Sequence, residues 1–175
     1  HYLGREYFFY GKWDHCIAVM QQDLAMPNAT WADERCASMR YIAKAYQQKG
    51  DLASAERWFW RAIAEAPHVR EPYIDFAMLL YHQKAWDGMI YMLNKALSIT
   101  ERPRTYICES NAWGSLPWDL RSLGYYYTGR MQQAFDDIKQ AVMLAPQDER
   151  LKENMAMIER EMAKSPSADI AHSMK

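Results

Sequence analysis

The sequence predicts an all-α protein, a right-handed superhelix of about four helix-turn-helix repeats closed by a C-terminal capping helix. Three observations carry that prediction. Small and bulky apolar residues recur at helical spacing in one register along the chain. A turn residue falls midway through each copy, at Gly11, Gly50, Lys84 and Gly129. Behind the last copy, "QDERLKENMAMIEREMAKS" places Leu151, Met155, Ile158 and Met162 on one stripe among charges. That is the pattern of a helix covering an open solenoid end.

The clearest copy is "MRYIAKAYQQKGDLASAERWFWRAIAEAP", residues 39 to 67. Ile42, Ala43, Tyr46, Gly50, Ala55, Phe59, Ala62 and Pro67 fall at the spacings of a tetratricopeptide repeat, a unit of about 34 residues. Ala43 and Ala55 let two helices approach closely, and Tyr46 and Phe59 fill the space between them. Gly50 ends the first helix where a positive φ is needed, and Pro67 stops the second. Asp51 is placed to cap the second helix.

The other elements follow in order. Leu3, Gly4, Tyr7, Gly11, Cys16, Met20 and Pro27 form a first repeat over residues 1–28. The second repeat spans 31–67, with Asn28 or Thr30 of "MPNATWADE" as the cap of its first helix. A degenerate third, over 70–100, keeps Tyr73, Phe76, Ala77, Leu80, Lys84, Met89, Leu93 and Ala96. Trp118, Ser122, Tyr125, Gly129, Ala134, Ile138, Ala141 and Pro146 define a fourth over 117–146. The capping helix covers 148–164, and "SPSADIAHSMK", residues 165–175, reads as a disordered tail. Trp58, Trp60 and Trp86 are assigned to packing between hairpins, since neighbours in "RWFWR" point in different directions on a helix.

The turn residues lie 39, 34 and 45 residues apart, so the longest excess falls in residues 101–116. The stretch "ERPRTYICESNAWGSLPWDL" that contains it is rich in proline and aromatic residues, unlike a floating linker. It reads as an ordered insert bracketed by Pro103 and Pro117, with Trp113 and Trp118 as anchors and Gly114 at a sharp bend. Docking against a further domain is the alternative use.

Composition narrows the function. Lys and Arg total 21 against 22 Asp and Glu, which gives no reason to expect nucleic acid or an anionic membrane as partner. No apolar run is long enough to insert in a membrane. Cys16, Cys36 and Cys108 are far apart without a CxxC pair, which fits small buried hydrophobes in a reducing, cytoplasmic setting. No phosphate-cradling glycine motif, D-x-D pair or metal-ligand histidine spacing is present, so no catalytic residue, metal or cofactor is expected. The chain begins with His1-Tyr2 and not Met, as a fragment of a longer protein would.

Stacked hairpins make a concave groove lined by the first helix of each repeat. In this register the groove candidates are Arg5, Phe8 and Phe9, then Arg40 and Lys44, then Met78, Tyr81 and His82, and last Tyr126 and Tyr127; Ile74 and Leu123 share those faces. Cations beside aromatic rings suit an acidic or aromatic peptide. Two uses fit the tyrosines equally, binding a partner or packing on the capping helix or another domain. Lys44 and Met78 stand where the asparagine of a chaperone-type carboxylate clamp would be sought, which argues against such a clamp. The expected partner is a protein or peptide, and self-association through exposed Tyr and Trp is a further possibility.

A more specific resemblance rests on "YLGREYFFYGKWDHCI", "WADERCASMRYIAKAY", "REPYIDFAMLLY" and "ITERPRTYICESNAWGSLPWDL". Together they resemble the tetratricopeptide region that follows the catalytic domain in a group of bacterial family 2 glycosyltransferases, over residues 2 to 155. The resemblance implies an α/β domain, outside this chain, that uses a nucleotide sugar and a divalent metal. It carries no catalytic residue onto this chain, and it adds the parent protein's own catalytic domain to the partners. A stand-alone adaptor is the rival reading.

Overall fold

The computed structural model describes residues 1–164; the tail expected at 165–175 lies outside the described residues. Among the described residues there are nine α-helices, one short 3-10 turn and no strand. The helices are α1 (Tyr2–Phe9), α2 (Trp13–Ala25), α3 (Ala32–Gln48), α4 (Leu52–Glu65), α5 (Glu71–His82), α6 (Trp86–Ser98), α7 (Leu116–Tyr127), α8 (Met131–Leu144) and α9 (Glu149–Lys164). Each helix packs on the next, and α1, α3, α5 and α7 also pack side by side as an inner layer. The result is a solenoid of four hairpins closed by α9.

The register seen in the sequence is the register of the core. The small slot on the inner helix, Gly4, Ala43, Ala77 and Ser122, is buried in every hairpin. Cys16, Ala55, Met89 and Ala134 on the outer helix are fully buried, as are Met20, Phe59 and Leu93, with Ile138 equivalent. A Cβ at Gly4 would lie 2.7 Å from Met20 Sδ, so the first hairpin closes on a bulky partner only because this slot is empty. In the fourth hairpin the slot is polar, and the buried Ser122 hydroxyl donates to the Ala134 carbonyl at 2.8 Å. On the capping helix Leu151 and Ile158 are buried, with Met155 and Met162 packed beside them against the α8 core.

All four hairpins turn the same way. Gly11, Gly50, Lys84 and Gly129 have φ of 69°, 80°, 57° and 75°. After each, a backbone N–H returns to the last helical turn: Lys12 to Tyr7 at 2.8 Å, Asp51 to Tyr46 at 3.0 Å, Ala85 to Leu80 at 2.9 Å and Arg130 to Tyr125 at 2.8 Å. This is the Schellman arrangement, which satisfies carbonyls the helix end would leave unpaired. Asp51 caps α4 by accepting from the Ser54 N–H at 3.0 Å.

Three expectations need correction. Neither Asn28 nor Thr30 caps α3; Trp31 stands at that position without a side-chain cap. The Arg35 guanidinium ties this connection instead, donating to the carbonyls of Leu24 at 2.9 Å and Ala29 at 3.1 Å. The chain does bend at Gly114, but with φ −98°, so the bend does not depend on the left-handed freedom of glycine. Trp60 is half exposed, resting only an edge against Phe76, whereas Trp58 is embedded between hairpins and Trp86 stacks on Tyr127 at 4.4 Å.

Lys84 is the one turn residue that holds a left-handed backbone against the cost of its Cβ. Replacement Lys84→Gly is expected to raise stability by about 0.5–1 kcal/mol, and Gly50→Ala to lower it by about 1 kcal/mol. Urea unfolding followed by circular dichroism measures both.

Candidate binding groove

The insert does not span the gap between the third and fourth hairpins by the shortest route. From Ile99 it runs back across the inner layer as far as the first hairpin, then returns to start α7. Arg70 holds its two ends together: Nε donates to the Ile99 carbonyl at 2.8 Å, and the guanidinium lies 3.9 Å from the Trp113 ring centroid. Burial of this face pushes the Arg70 pKa down. Trp113 and Leu116 join the core of the second and third hairpins, while Trp118 packs at the fourth beside α9. At the far point of the insert, Tyr106 stacks on Tyr2 at 5.7 Å, meets Trp31 edge-on at 5.6 Å and donates its hydroxyl to Glu34. On the side of α3 lined by Cys36, Arg40, Pro103 and Ile107, the space left under the insert is only about 10 Å³. That is room for about one water, so the two surfaces are closely packed.

The polar centre of the groove is Arg40. Its side chain is 3% exposed, and it bridges α3 to α5 and the insert, with Nε 2.6 Å from Asp75 and Nη2 2.8 Å from Glu109. Lys44, one turn further along α3, meets the same Asp75 oxygen at 2.9 Å. Glu109 is held twice, since its backbone N–H donates to the buried Glu71 carboxylate at 3.0 Å. Burial alone would raise the Asp75 carboxyl, but the charges of Arg40 and Lys44 outweigh it and hold it below the usual carboxylate range. Burial likewise disfavours the Arg40 cation, and Asp75 and Glu109 more than restore it.

Arg40, expected as a groove cation for an acidic or aromatic peptide, is a buried cation already paired within the chain. Arg5, Phe8, Phe9, Arg40 and Lys44 do come together: with Tyr41, Tyr106 and Glu109 they line a pocket of about 330 Å³ between α1, α3 and the insert. Phe8 packs on Tyr41 at 5.3 Å, and Phe9 lies 5.9 Å under the Arg5 guanidinium. The remaining candidates do not line this pocket. Tyr81, His82, Tyr126 and Tyr127 form an aromatic chain with Trp86 near the third and fourth turns. Met78 packs against the central core, and Ile74 is buried.

Asp75, Glu71, Glu109 and Tyr106 were not among the residues read from the sequence. Glu71 and Asp75 carried a signal, two carboxylates one turn apart on the otherwise apolar "EPYIDFAMLL". Glu109 and Tyr106 carried none, because the path of an insert is not periodic.

Two of the three cysteine thiols are buried. Burial pushes the Cys16 thiol up to about 11 and the Cys36 thiol up to about 12, far from thiolate at neutral pH. Among the described residues no three His, Cys, Asp or Glu side chains converge as a metal site, and no helix is long and apolar enough to cross a membrane.

Comparison with known proteins places the fold. No family model matches the chain. The Protein CTR9 homolog of Arabidopsis thaliana is 25% identical over 153 residues, covering 84% of this chain but only 13% of that protein. The crystal structure of MamA superposes with a TM-score of 0.71 over 91% of this chain and 84% of its own, at 15% identity. Cut9 in the APC/C hetero-tetramer Cut9–Hcn1 gives 0.67 at 12% identity over 91% of this chain and 29% of its own. A Podospora anserina putative kinesin light chain with nearly identical TPR-like repeats gives 0.58 at 15% identity, over 94% and 93%. The chain has the tetratricopeptide-repeat fold.

Removing Arg40 leaves Asp75 to Lys44 alone and Glu109 without a side-chain partner. Arg40→Ala is expected to cost about 3 kcal/mol in urea unfolding and to speed tryptic cleavage after the exposed Arg104. The Asp75 carboxyl has a lower pKa folded than unfolded, where it is about 3.9. Its contribution is thus full above about pH 4 and lost as pH falls through the folded value. An acid-dependent fall in melting temperature that is blunted by Asp75→Asn checks the sign.

Proposed function

We propose that this chain is a non-catalytic interaction scaffold that holds a protein or peptide on its inner face, and that it is the C-terminal part of a bacterial family 2 glycosyltransferase. The observation that carries the scaffold reading is the open pocket between α1, α3 and the insert, where cationic and aromatic side chains converge beside His1 and Glu109. Cut9 belongs to a hetero-tetramer with Hcn1, and its likeness supports a protein as the kind of partner. The glycosyltransferase reading rests on the resemblance in "ITERPRTYICESNAWGSLPWDL". Its support from the geometry is that this stretch is an ordered part of the inner face, so a family sharing it would share a binding surface as well as a connection. In that parent the sugar transfer belongs to the α/β domain, and this chain positions the acceptor, a partner or the catalytic domain itself.

A stand-alone adaptor fits the same pocket equally well. The two differ in what precedes the chain: the coding sequence upstream of His1 is expected to specify a nucleotide-sugar α/β domain with a D-x-D motif, and its absence leaves the adaptor. The scaffold itself is tested with a photocrosslinking residue placed at Phe9 or Tyr127 on the inner layer, and at Lys139 on α8. Crosslinks to one partner are expected from the inner positions and not from Lys139; the reverse pattern overturns the inner-face assignment.

A further inference from the structure

Of the charged groups lining the open pocket, Arg40 and Lys44 are matched by Asp75 and Glu109. Arg5 is not: among the described residues it has no carboxylate partner, and its guanidinium rests 5.9 Å above the Phe9 ring. A half-buried cation beside Phe8, Phe9 and Tyr41 is a site where one carboxylate gains a charge-assisted hydrogen bond and a neighbouring ring gains aromatic contact. The protein already makes this kind of contact with itself. Its own insert lies on the inner face in a non-helical conformation, with an aromatic side chain, Tyr106, packed between Tyr2 and Trp31. A carboxylate three residues on, Glu109, sits on Arg40.

We infer that the pocket between α1, α3 and the insert takes a segment of a separate protein that carries a carboxylate beside an aromatic residue, the carboxylate on Arg5 and the ring against Phe8, Phe9 and Tyr41. This rests on the scaffold reading above and names its partner chemistry. The pocket volume of about 330 Å³ is at the lower end for ligand sites, which suits a few side chains of such a segment. The insert closes one wall with Tyr106 and Glu109, so the segment lies alongside the insert and does not replace it.

The probe is a fluorescein-labelled peptide with a Glu-Tyr-Glu core in a Ser-Gly frame, titrated by anisotropy against the chain at low and at raised salt. Saturable, salt-sensitive binding is expected, weakened about tenfold or more by a Gln-Tyr-Gln core or by Arg5→Glu. Lys12→Glu, in the first turn and outside the pocket, should leave it unchanged. Thermal melts followed by circular dichroism establish that Arg5→Glu is folded; Arg5→Gln serves in its place if it is not. Equal binding of the two peptides, indifference to Arg5, or no saturable binding overturns the inference. So does a chain that binds no peptide but dimerises through Arg5, since the occupant is then a second copy. If inner-face crosslinks persist while the acidic core is ignored, the scaffold stands and only this partner chemistry falls. If the peptide binds and those crosslinks are absent, the reverse holds.

Discussion

A guanidinium buried between two helices has to be neutralised where it sits, and the groove of this protein is organised by that requirement. Arg40 lies on the inner face of α3, one turn from Cys36 and Ala37 on one side and from Ala43 and Lys44 on the other. One carboxylate, Asp75, comes from the next inner helix; the other, Glu109, comes from the insert. Water cannot substitute for either, because the side chain is almost wholly covered. The desolvation cost of such a group is several kcal/mol, so each partner is worth far more as the neutraliser of Arg40 than as a surface pair. The insert and α5 meet α3 at this one cation, and Lys44 shares the Asp75 oxygen that helps to neutralise it.

The same requirement separates what could be read from the sequence from what could not. The hairpins were legible because their physics is local and repeated. Gly11, Gly50 and Gly129 mark left-handed turns, and Ala43 and Ala55 mark close helix approach. Lys84 was legible only through its register, since nothing about lysine announces a positive φ. The capping stripe from Leu151 to Met162 was legible for the same reason as the core, as a period on one helix. The groove was half legible. Register placed Arg5, Phe8, Phe9, Arg40 and Lys44 on one face, which is where they lie, but register says nothing about whether a cation is free. Arg40 is matched by residues 35 and 69 positions away, and only the fold brings them near. Thr30 failed as a cap for a simpler reason: a helix start fixed by tertiary contacts of Arg35 need not use the nearest hydroxyl.

The insert gives the two ends of the groove different characters. Near the first hairpin the inner face is cationic and aromatic, walled by the insert and open to solvent. Near the third and fourth turns it is an aromatic chain, with Tyr81, Trp86 and Tyr127 in contact and Tyr127 exposed. Between them, the inner helices face the insert and one another. A long helical ligand laid along the whole groove would have to displace the insert and uncover Arg40. A short segment at the first hairpin meets no such barrier.

Repeat solenoids are usually quasi-one-dimensional, each unit touching only its neighbours, so that stability is a sum of local terms. Here the insert breaks that rule. A single stretch touches the first hairpin through Tyr2, the second through Arg40 and Glu34, the third through Glu71 and Arg70, and leads directly into the fourth. Loosening any one of the first three hairpins therefore loosens contacts that the insert makes with the other two. In the scaffold role proposed above, a groove tied together by the insert is preorganised, so that binding energy goes into recognising a partner and not into ordering the repeats, which is the advantage of preorganisation at any interface.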